Sequence, residues 1–167
     1  MQIVGDELSR LALAKQGNFQ DFDLLSRSAF NRYYYASFLV TRDTLGKMQS
    51  NWKGTAHAEI PKLLENGLKK PVRHQLNIQL TKGIIDKGDH SRLLTSINSV
   101  ACELAQLLRS AYDARIVADY EPDIKITFDN KLIMLKTYKI TTAKEWPTRA
   151  EMYCGRLLRL WKEIGLA

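Results

Sequence analysis

Polar and aromatic side chains are concentrated in the segment from Ser26 to Gly46, whose apolar spacing is otherwise typical of a buried helix. Arg32 is followed directly by three tyrosines, and Asn31 lies beside it. A buried guanidinium or phenol needs a hydrogen-bond partner, so packing alone does not account for this combination. A guanidinium can bind a phosphate through two parallel hydrogen bonds, and a tyrosine such as Tyr35 can stack on a base. The segment therefore predicts a helix with a role beyond packing.

A second polar group lies at the end of another predicted helix. Tyr112, Arg115 and Asp119 share one face there, and Tyr120 follows. Arg115 and Asp119 are four residues apart, so they can form an ion pair that closes the end of a helical bundle. Alternatively, Arg115 binds a phosphate and a tyrosine orients that phosphate or stacks on a base. The sequence is compatible with both the structural ion pair and the phosphate-binding site.

The other residues that commonly carry chemistry are scattered. His57, His74 and His90 are each isolated among polar or turn-forming residues, which is typical of surface histidines. Cys102 and Cys154 lie far apart without metal-ligand spacing, so they predict free, buried thiols in a reducing compartment. The sequence therefore predicts no metal, no cofactor and a cytoplasmic location.

Composition is that of an ordinary soluble protein of 167 residues, with 45% apolar residues and a net charge of +7. From Lys125 onward there are nine basic residues against four acidic ones. A basic excess favours an acidic partner such as RNA or DNA, although a solvated helix face explains it equally well.

The chain lacks the run of roughly 18 apolar residues that a membrane-spanning helix needs, so we expect no membrane contact. The acidic residues near the N-terminus argue against a signal peptide.

Apolar residues spaced by three and four predict helices over most of the chain up to Tyr120. The stretch from Lys69 to Gly88 shows no clear pattern; it contains Pro71, two glycines and a possible turn of helix through Leu76 and Leu80. The expected helices are Asp6–Lys15, a helix capped by Ser26 and ending at Gly46, a short helix capped by Thr55 and ending at Gly67, and a long helix that begins near Asp89 or Ser91 and ends near Tyr120.

The period changes after Pro122, which ends the long helix. Alternating residues predict a hairpin that pairs Ile124–Phe128 with Leu132–Tyr138, and a helix there is the open alternative. A last helix is expected from Thr148, which has capping-box spacing to Glu151. The fold class is therefore mainly α. Residues 1–121 form the expected bundle, with the hairpin and last helix of residues 122–167 packed on the same domain.

Three segments in order along the chain resemble the HEPN superfamily. SAFNRYYYASFLVTRDTL is similar to its second-helix signature, in which a small residue and an Arg precede Tyr-Tyr-Ala and an aromatic residue. TAHAEIPKLL, at Thr55–Leu64, resembles the short His-bearing segment that follows. RIVADY, at Arg115–Tyr120, is similar to the Arg-x-x-Ala-Asp-Tyr end of the family's long helix. The resemblance extends from about Leu24 to Tyr120.

This resemblance implies an up-down helical bundle of HEPN type that forms a homodimer. It also implies a role in RNA metabolism or in a bacterial or archaeal conflict or stress system, such as a toxin–antitoxin pair or antiphage defence. The expected partners are RNA and a nucleotidyltransferase-like antitoxin. Many family members are metal-independent endoribonucleases, in which an Arg holds the scissile phosphate and a His four to six residues later activates the ribose 2′-hydroxyl.

This chain departs from the family's catalytic pattern. No His follows Arg32 or Arg115 at that spacing; Leu39 lies seven residues after Arg32, and Tyr120 lies five after Arg115. The sequence is therefore compatible with two functions. The first is an RNA-acting protein that is an endoribonuclease or its descendant. The second is a non-catalytic dimeric adaptor or a nucleic-acid- or nucleotide-binding module, whose hairpin edge, Trp146, Trp161 and Leu158 contact a second chain. The candidate catalytic residues are Arg32, Arg115, Asp119 and Tyr120, and the candidate binding residues are Asn31, Tyr35, His57 and Tyr112.

Overall fold

The computed structural model describes residues 1–166, and this part of the chain is mainly helical. None of its helices is both long enough and apolar enough to cross a membrane. Short helical turns between residues 50 and 67 separate the second and third long helices. Within the described chain the five long helices are α1 (Gln2–Ala14), α2 (Phe19–Met48), α3 (Lys69–Thr81), α4 (Lys87–Tyr120) and α5 (Ile140–Glu163). The expected mainly α class is confirmed.

A small antiparallel sheet precedes α5, with strands β1 (Ile126–Asp129), β2 (Leu132–Leu135) and β3 (Tyr138–Lys139) in that order. Ile126 pairs with Leu135 and Phe128 with Ile133. Asn130 and Lys131 have φ values of 48° and 64°, the left-handed geometry of a tight hairpin turn. The hairpin is thus confirmed over the helical alternative, with strands shorter than predicted. The predicted second strand, Leu132–Tyr138, is not continuous: β2 ends at Leu135, and Tyr138 begins β3, which pairs back on β2.

Helix α2 begins at Phe19 because Asn18 caps it. The side-chain oxygen of Asn18 accepts hydrogen bonds from the backbone N–H groups of Gln20 and Asp21, at 3.1 and 3.2 Å. The prediction that Ser26 caps this helix is wrong, since Ser26 lies inside it and is 0% exposed. A local capping residue was outweighed by an apolar face that continues toward the N-terminus.

Helix α5 begins at Ile140, so the predicted start at Thr148 is also wrong. Ile140, Ala143 and Trp146 are buried and continue the three- and four-residue spacing of the rest of the helix. Pro147 lies inside the helix, where it removes one backbone donor. The continuous apolar face outweighs that loss.

The segment between α2 and α3 differs from the predicted short helix. Thr55 does not cap a helix there; its hydroxyl donates to the carbonyl of Trp52 at 2.8 Å. The expected helix is instead a succession of short turns at His57–Glu59, Ile60–Lys62 and Leu63–Gly67. The stretch that showed no clear pattern in the sequence forms α3, which extends the possible turn through Leu76 and Leu80 to 13 residues. Pro71 lies in its first turn, where a missing N–H is tolerated.

The chain divides into two compact units. Unit 1 consists of Met1–Leu39 and Leu108–Arg149, and unit 2 consists of residues 40–107 and 150–166. The expected division at residue 121 stays a prediction. Buried residues that belong to unit 1 include Phe30, Tyr33, Tyr34, Ala114, Ile133 and Trp146, and those that belong to unit 2 include Leu45, Ile60, Leu76, Ile97, Leu104 and Trp161.

Candidate functional site

Seven of the eight predicted site residues belong to unit 1, on α2 and α4. A single carboxylate connects the two helices. Oδ1 of Asp119 accepts a 2.6 Å hydrogen bond from Nδ2 of Asn31, and Oδ2 of Asp119 lies 2.8 Å from Nε of Arg115. We call the seven predicted site residues on α2 and α4 the polar cluster: Asn31, Arg32, Tyr35, Tyr112, Arg115, Asp119 and Tyr120.

Arg115 is held from two sides. Its Nη2 donates a 3.3 Å hydrogen bond to the hydroxyl of Tyr120, and its guanidinium lies 5.0 Å from the centre of that ring, a cation–π distance. Burial lowers the pKa of Arg115, but the hydrogen bond to Tyr120 and the negative charge of Asp119 outweigh it and raise that pKa. Arg115 is therefore a fixed cation whose charge Asp119 balances, as one of the two sequence interpretations expected.

Arg32 differs from Arg115 in its charge environment. Its guanidinium lies 5.7 Å from the centre of the Tyr35 ring, and its Nη1 is 3.9 Å from the sulfur of Met1. No carboxylate pairs with it in residues 1–166. Arg32 is half-buried and is therefore the unbalanced positive charge of the polar cluster.

Tyr34 is the buried aromatic residue behind the polar cluster. Its ring lies 5.3 Å from that of Tyr35 and 5.7 Å from that of Tyr112, in edge-to-face arrangements. Burial, and secondly the neighbouring phenol of Tyr112, raise the pKa of Tyr34. Tyr34 therefore stays neutral and supports Tyr35 and Tyr112, which are half-buried, while Tyr120 is 64% exposed.

His57 belongs to unit 2, where it lies half-buried in the turn His57–Glu59. It is not a member of the polar cluster. The cluster therefore has arginines, phenols, an amide and a carboxylate, without an imidazole or a thiol.

Sequence reasoning missed Arg27, which holds the last turn of α4. Nη1 of Arg27 donates to the carbonyls of Val117 and Ala118 at 3.1 Å each, and Nη2 donates to the carbonyl of Ile124. A guanidinium at a helix C-terminus satisfies carbonyls that have no partner within the helix and complements the helix dipole. This turn carries Asp119, so Arg27 fixes the geometry of the polar cluster without belonging to it.

Asp23 completes this anchor. One carboxylate oxygen lies 2.7 Å from Nε of Arg27, and the other accepts a 3.0 Å hydrogen bond from the backbone N–H of Ile126 at the start of β1. In the sequence, the only indication of this anchor is the spacing of Asp23 and Arg27, which lie four residues apart on one helix and can form an ion pair. That signal does not reveal the carbonyl partners, which lie 90 to 97 residues away in the chain.

The cluster can bind an anion and hold planar rings, because it combines an unbalanced guanidinium with accessible phenol rings. Within residues 1–166, no group of three or more His, Cys, Asp or Glu side chains is placed to hold a metal ion. No protein-family model matches the chain, and neither a curated protein nor a solved structure shows significant similarity to it. The proposed family therefore rests on the residues of the chain itself.

Proposed function

We propose that this chain is a HEPN-like protein that binds RNA at the polar cluster. The observation that carries this proposal is Arg32, a half-buried guanidinium without a carboxylate partner in residues 1–166, placed against the ring of Tyr35. An unbalanced arginine beside an aromatic ring suits a phosphate followed by a stacked base.

Each residue of the cluster has a role in this proposal. Arg32 binds a phosphate, and Tyr35 and Tyr120 supply faces on which unpaired bases stack. Asn31 and Asp119 hold Arg115 in place, and Arg115 in turn holds the Tyr120 ring. Single-stranded RNA fits this arrangement better than a duplex, because bases in a duplex are already stacked on each other.

The geometry supports binding more strongly than cleavage. Cleavage without a metal needs a group that takes the proton of the ribose 2′-hydroxyl, and such help contributes roughly 10² to 10⁴ in rate. The carboxylate of Asp119 is already engaged by Asn31 and Arg115. Because the cluster has no histidine, we expect slow cleavage or none.

The implied biological setting is a bacterial or archaeal conflict or stress system. There the chain would act as a homodimer beside a nucleotidyltransferase-like antitoxin.

The alternative function, a non-catalytic adaptor, loses two of its proposed contact residues, because Trp146 and Trp161 are 3% and 1% exposed. Neither tryptophan is accessible to a second chain in this conformation.

The test is RNA binding by the purified chain in EDTA, measured by fluorescence anisotropy with a labelled single-stranded RNA, while a gel reports cleavage. Arg32→Ala should weaken binding at least tenfold with an unchanged melting temperature. Arg10→Ala is the matched control, because Arg10 is exposed and paired with Glu7. Equal binding by Arg32→Ala and wild type, or equal losses in both variants, would overturn the proposal.

Tyr120→Ala and Tyr120→Phe separate stacking from hydrogen bonding. If Tyr120 stacks on a base, the alanine variant should lose several-fold in affinity and the phenylalanine variant should retain it. Equal losses in both variants would contradict stacking by the ring alone and would assign the effect to the hydroxyl, which accepts the hydrogen bond from Arg115.

A further inference from the structure

Helix α3 lies in a long stretch of unit 2 that has no acidic residue. Between Glu65 and Asp86 the sequence contains no Asp or Glu, while it contains four Lys or Arg residues and His74. Ion pairs within this helix therefore cannot balance its charge. The 13-residue helix therefore has a net positive charge.

One face of α3 is committed to packing and hydrogen bonding. Val72 and Leu76 are buried, at 1% and 0% exposure. The amides of Gln75 and Gln79 donate to the carbonyls at the end of α5, Gly165 at 3.3 Å and Ile164 at 3.0 Å. These contacts fix the rotation of α3 about its own axis within unit 2.

The opposite face carries the positive charge. Residues spaced by three and four along it share one side of the helix, and all of them are exposed. We call them the basic stripe: Lys70, Arg73, His74, Asn77 and Thr81. No carboxylate pairs with Lys70 or Arg73 in the part of the chain that the structure describes. At 1.5 Å per residue the stripe is about 16 Å long.

A shallow hollow lies along the second half of the stripe. His74, Asn77, Ile78, Thr81 and Lys82 line it. His90, in the first turn of α4, lies beside it with Nε2 3.0 Å from Oδ1 of Asn77. The hollow thus combines a cation with imidazole and amide groups, which can donate hydrogen bonds to phosphate or ribose oxygens. The Thr81 hydroxyl already donates to the backbone carbonyl of Asn77 at 2.9 Å, and Ile78 adds an apolar wall.

We propose that the basic stripe of unit 2 binds the sugar–phosphate backbone of RNA. The identity of the nucleic acid rests on the proposed function. The five residues of the stripe include no large apolar side chain, and Ile78 is the single apolar residue that lines the hollow. A membrane-surface helix or a protein-docking site would need several apolar anchors. Contacts with phosphates alone predict binding that is independent of sequence and weakens as salt rises.

The test compares two double variants with equal change of charge in unit 2. Lys70→Glu/Arg73→Glu reverses the two unpaired cations of the stripe. Lys47→Glu/Lys62→Glu is the control, because these exposed lysines already pair with Asp43 and Glu59. RNA binding is measured from about 50 to 200 mM salt, a range over which several phosphate contacts change affinity strongly.

The stripe variant should lose at least tenfold in affinity at low salt, and its slope of log affinity against log salt should fall by about one to two. The control should stay within about threefold of wild type. An unchanged stripe variant, or equal losses in the two variants, would overturn the inference. Polyglutamate is the competitor that represents an acidic protein segment. If polyglutamate at equal charge concentration displaces RNA from the wild type, the stripe binds acidic protein segments and the inference is overturned. Lys70→Gln/Arg73→Gln repeats the test if the reversed charges disturb folding.

Arg32→Ala separates this inference from the proposed function. Loss of binding in Arg32→Ala but not in the stripe variant rejects the stripe and leaves the polar cluster as the RNA site. The reverse pattern rejects the polar cluster and retains the stripe. Absence of RNA binding by the wild type rejects both.

Discussion

Asn31 of α2 donates a 2.6 Å hydrogen bond to Asp119 of α4, although the two residues are 88 positions apart in the chain. The same carboxylate forms the ion pair with Arg115 one turn earlier in α4. One carboxylate therefore orients both an amide and a guanidinium. The polar cluster is organised by its own contacts before any ligand binds, which lowers the entropy cost of binding.

Asn31→Asp tests this relationship, because it places a second carboxylate against Asp119. We expect a loss of about 1–2 kcal/mol in the free energy of unfolding, since like charges repel and a hydrogen bond to a charged group is lost. Urea denaturation measures the change. Asn31→Asp/Asp119→Asn exchanges the two groups and should recover part of the loss. A double variant less stable than Asn31→Asp would contradict the pairing.

Arg27 should be important for stability and not for ligand contact. Its side chain is 11% exposed and donates to carbonyls at the end of α4. Arg27→Met keeps the length of the side chain but removes the guanidinium from these carbonyls and from Asp23, so the free energy of unfolding should fall by about 3 kcal/mol. Arg27→Lys should recover only part of this, because one ammonium cannot reproduce the planar set of donors. Chemical denaturation of the three proteins checks the order, and full stability of Arg27→Lys would contradict it.

Two helical glycines should respond in opposite directions to alanine. A Cβ atom on Gly5 of α1 would lie 2.7 Å from Cε1 of Tyr33, whose side chain is 0% exposed. Gly5→Ala should therefore cost about 1–3 kcal/mol through overpacking. Gly155 of α5 has nothing within 4 Å of the added carbon, so Gly155→Ala should stabilise the chain by up to about 1 kcal/mol. Thermal unfolding of both variants tests the sign, and a stabilised Gly5→Ala would show that Tyr33 is not fixed against α1.

Much of the helical and hairpin content could be predicted, because it rests on local periodicity. Helix α4 repeats its apolar spacing over 34 residues and stops before Pro122, so both its ends were close to the predicted ones. Helix starts were predicted less well. Ser26 and Thr148 have the types and spacing of capping residues, yet both lie within longer helices. Capping signals act over one turn, whereas an apolar face that packs on a core acts over the whole helix.

The candidate site could be predicted only where its contacts are local. The spacing of Arg115 and Asp119 indicated their ion pair, which the structure forms. The hydrogen bond from Asn31 and the carbonyls held by Arg27 join residues about 90 positions apart, and no short-range pattern encodes such pairs. The sequence indicated only a possible turn of helix within α3, so the common face of its cations could not be predicted. The face became visible only after Val72 and Leu76 had fixed the rotation of the helix.

Alkaline pH should destabilise the chain through its buried phenols. Burial is the largest cause that raises the pKa of both Tyr33 and Tyr34, and for Tyr33 the hydrogen bond that its hydroxyl donates to Asp6 adds to it. The folded chain therefore favours the protonated phenol, and this stabilisation is complete below the ordinary tyrosine pKa of about 10. As pH rises above that value, the unfolded chain releases its protons first. The free energy of unfolding should then fall by up to about 1.4 kcal/mol per pH unit for each coupled phenol.

Urea denaturation of the wild type and of Tyr34→Phe between pH 8 and pH 11 measures this dependence. The variant should show the smaller decrease above pH 10, because phenylalanine keeps the buried ring and has no proton to lose. Tyr120→Phe is the control for the loss of a tyrosine hydroxyl at an exposed position, since Tyr120 is 64% exposed. Burial also raises the pKa of the Cys154 thiol, which adds a decrease of the same sign that is common to all three proteins. Identical pH dependences for Tyr34→Phe and the wild type would show that the Tyr34 hydroxyl reaches water in the folded chain.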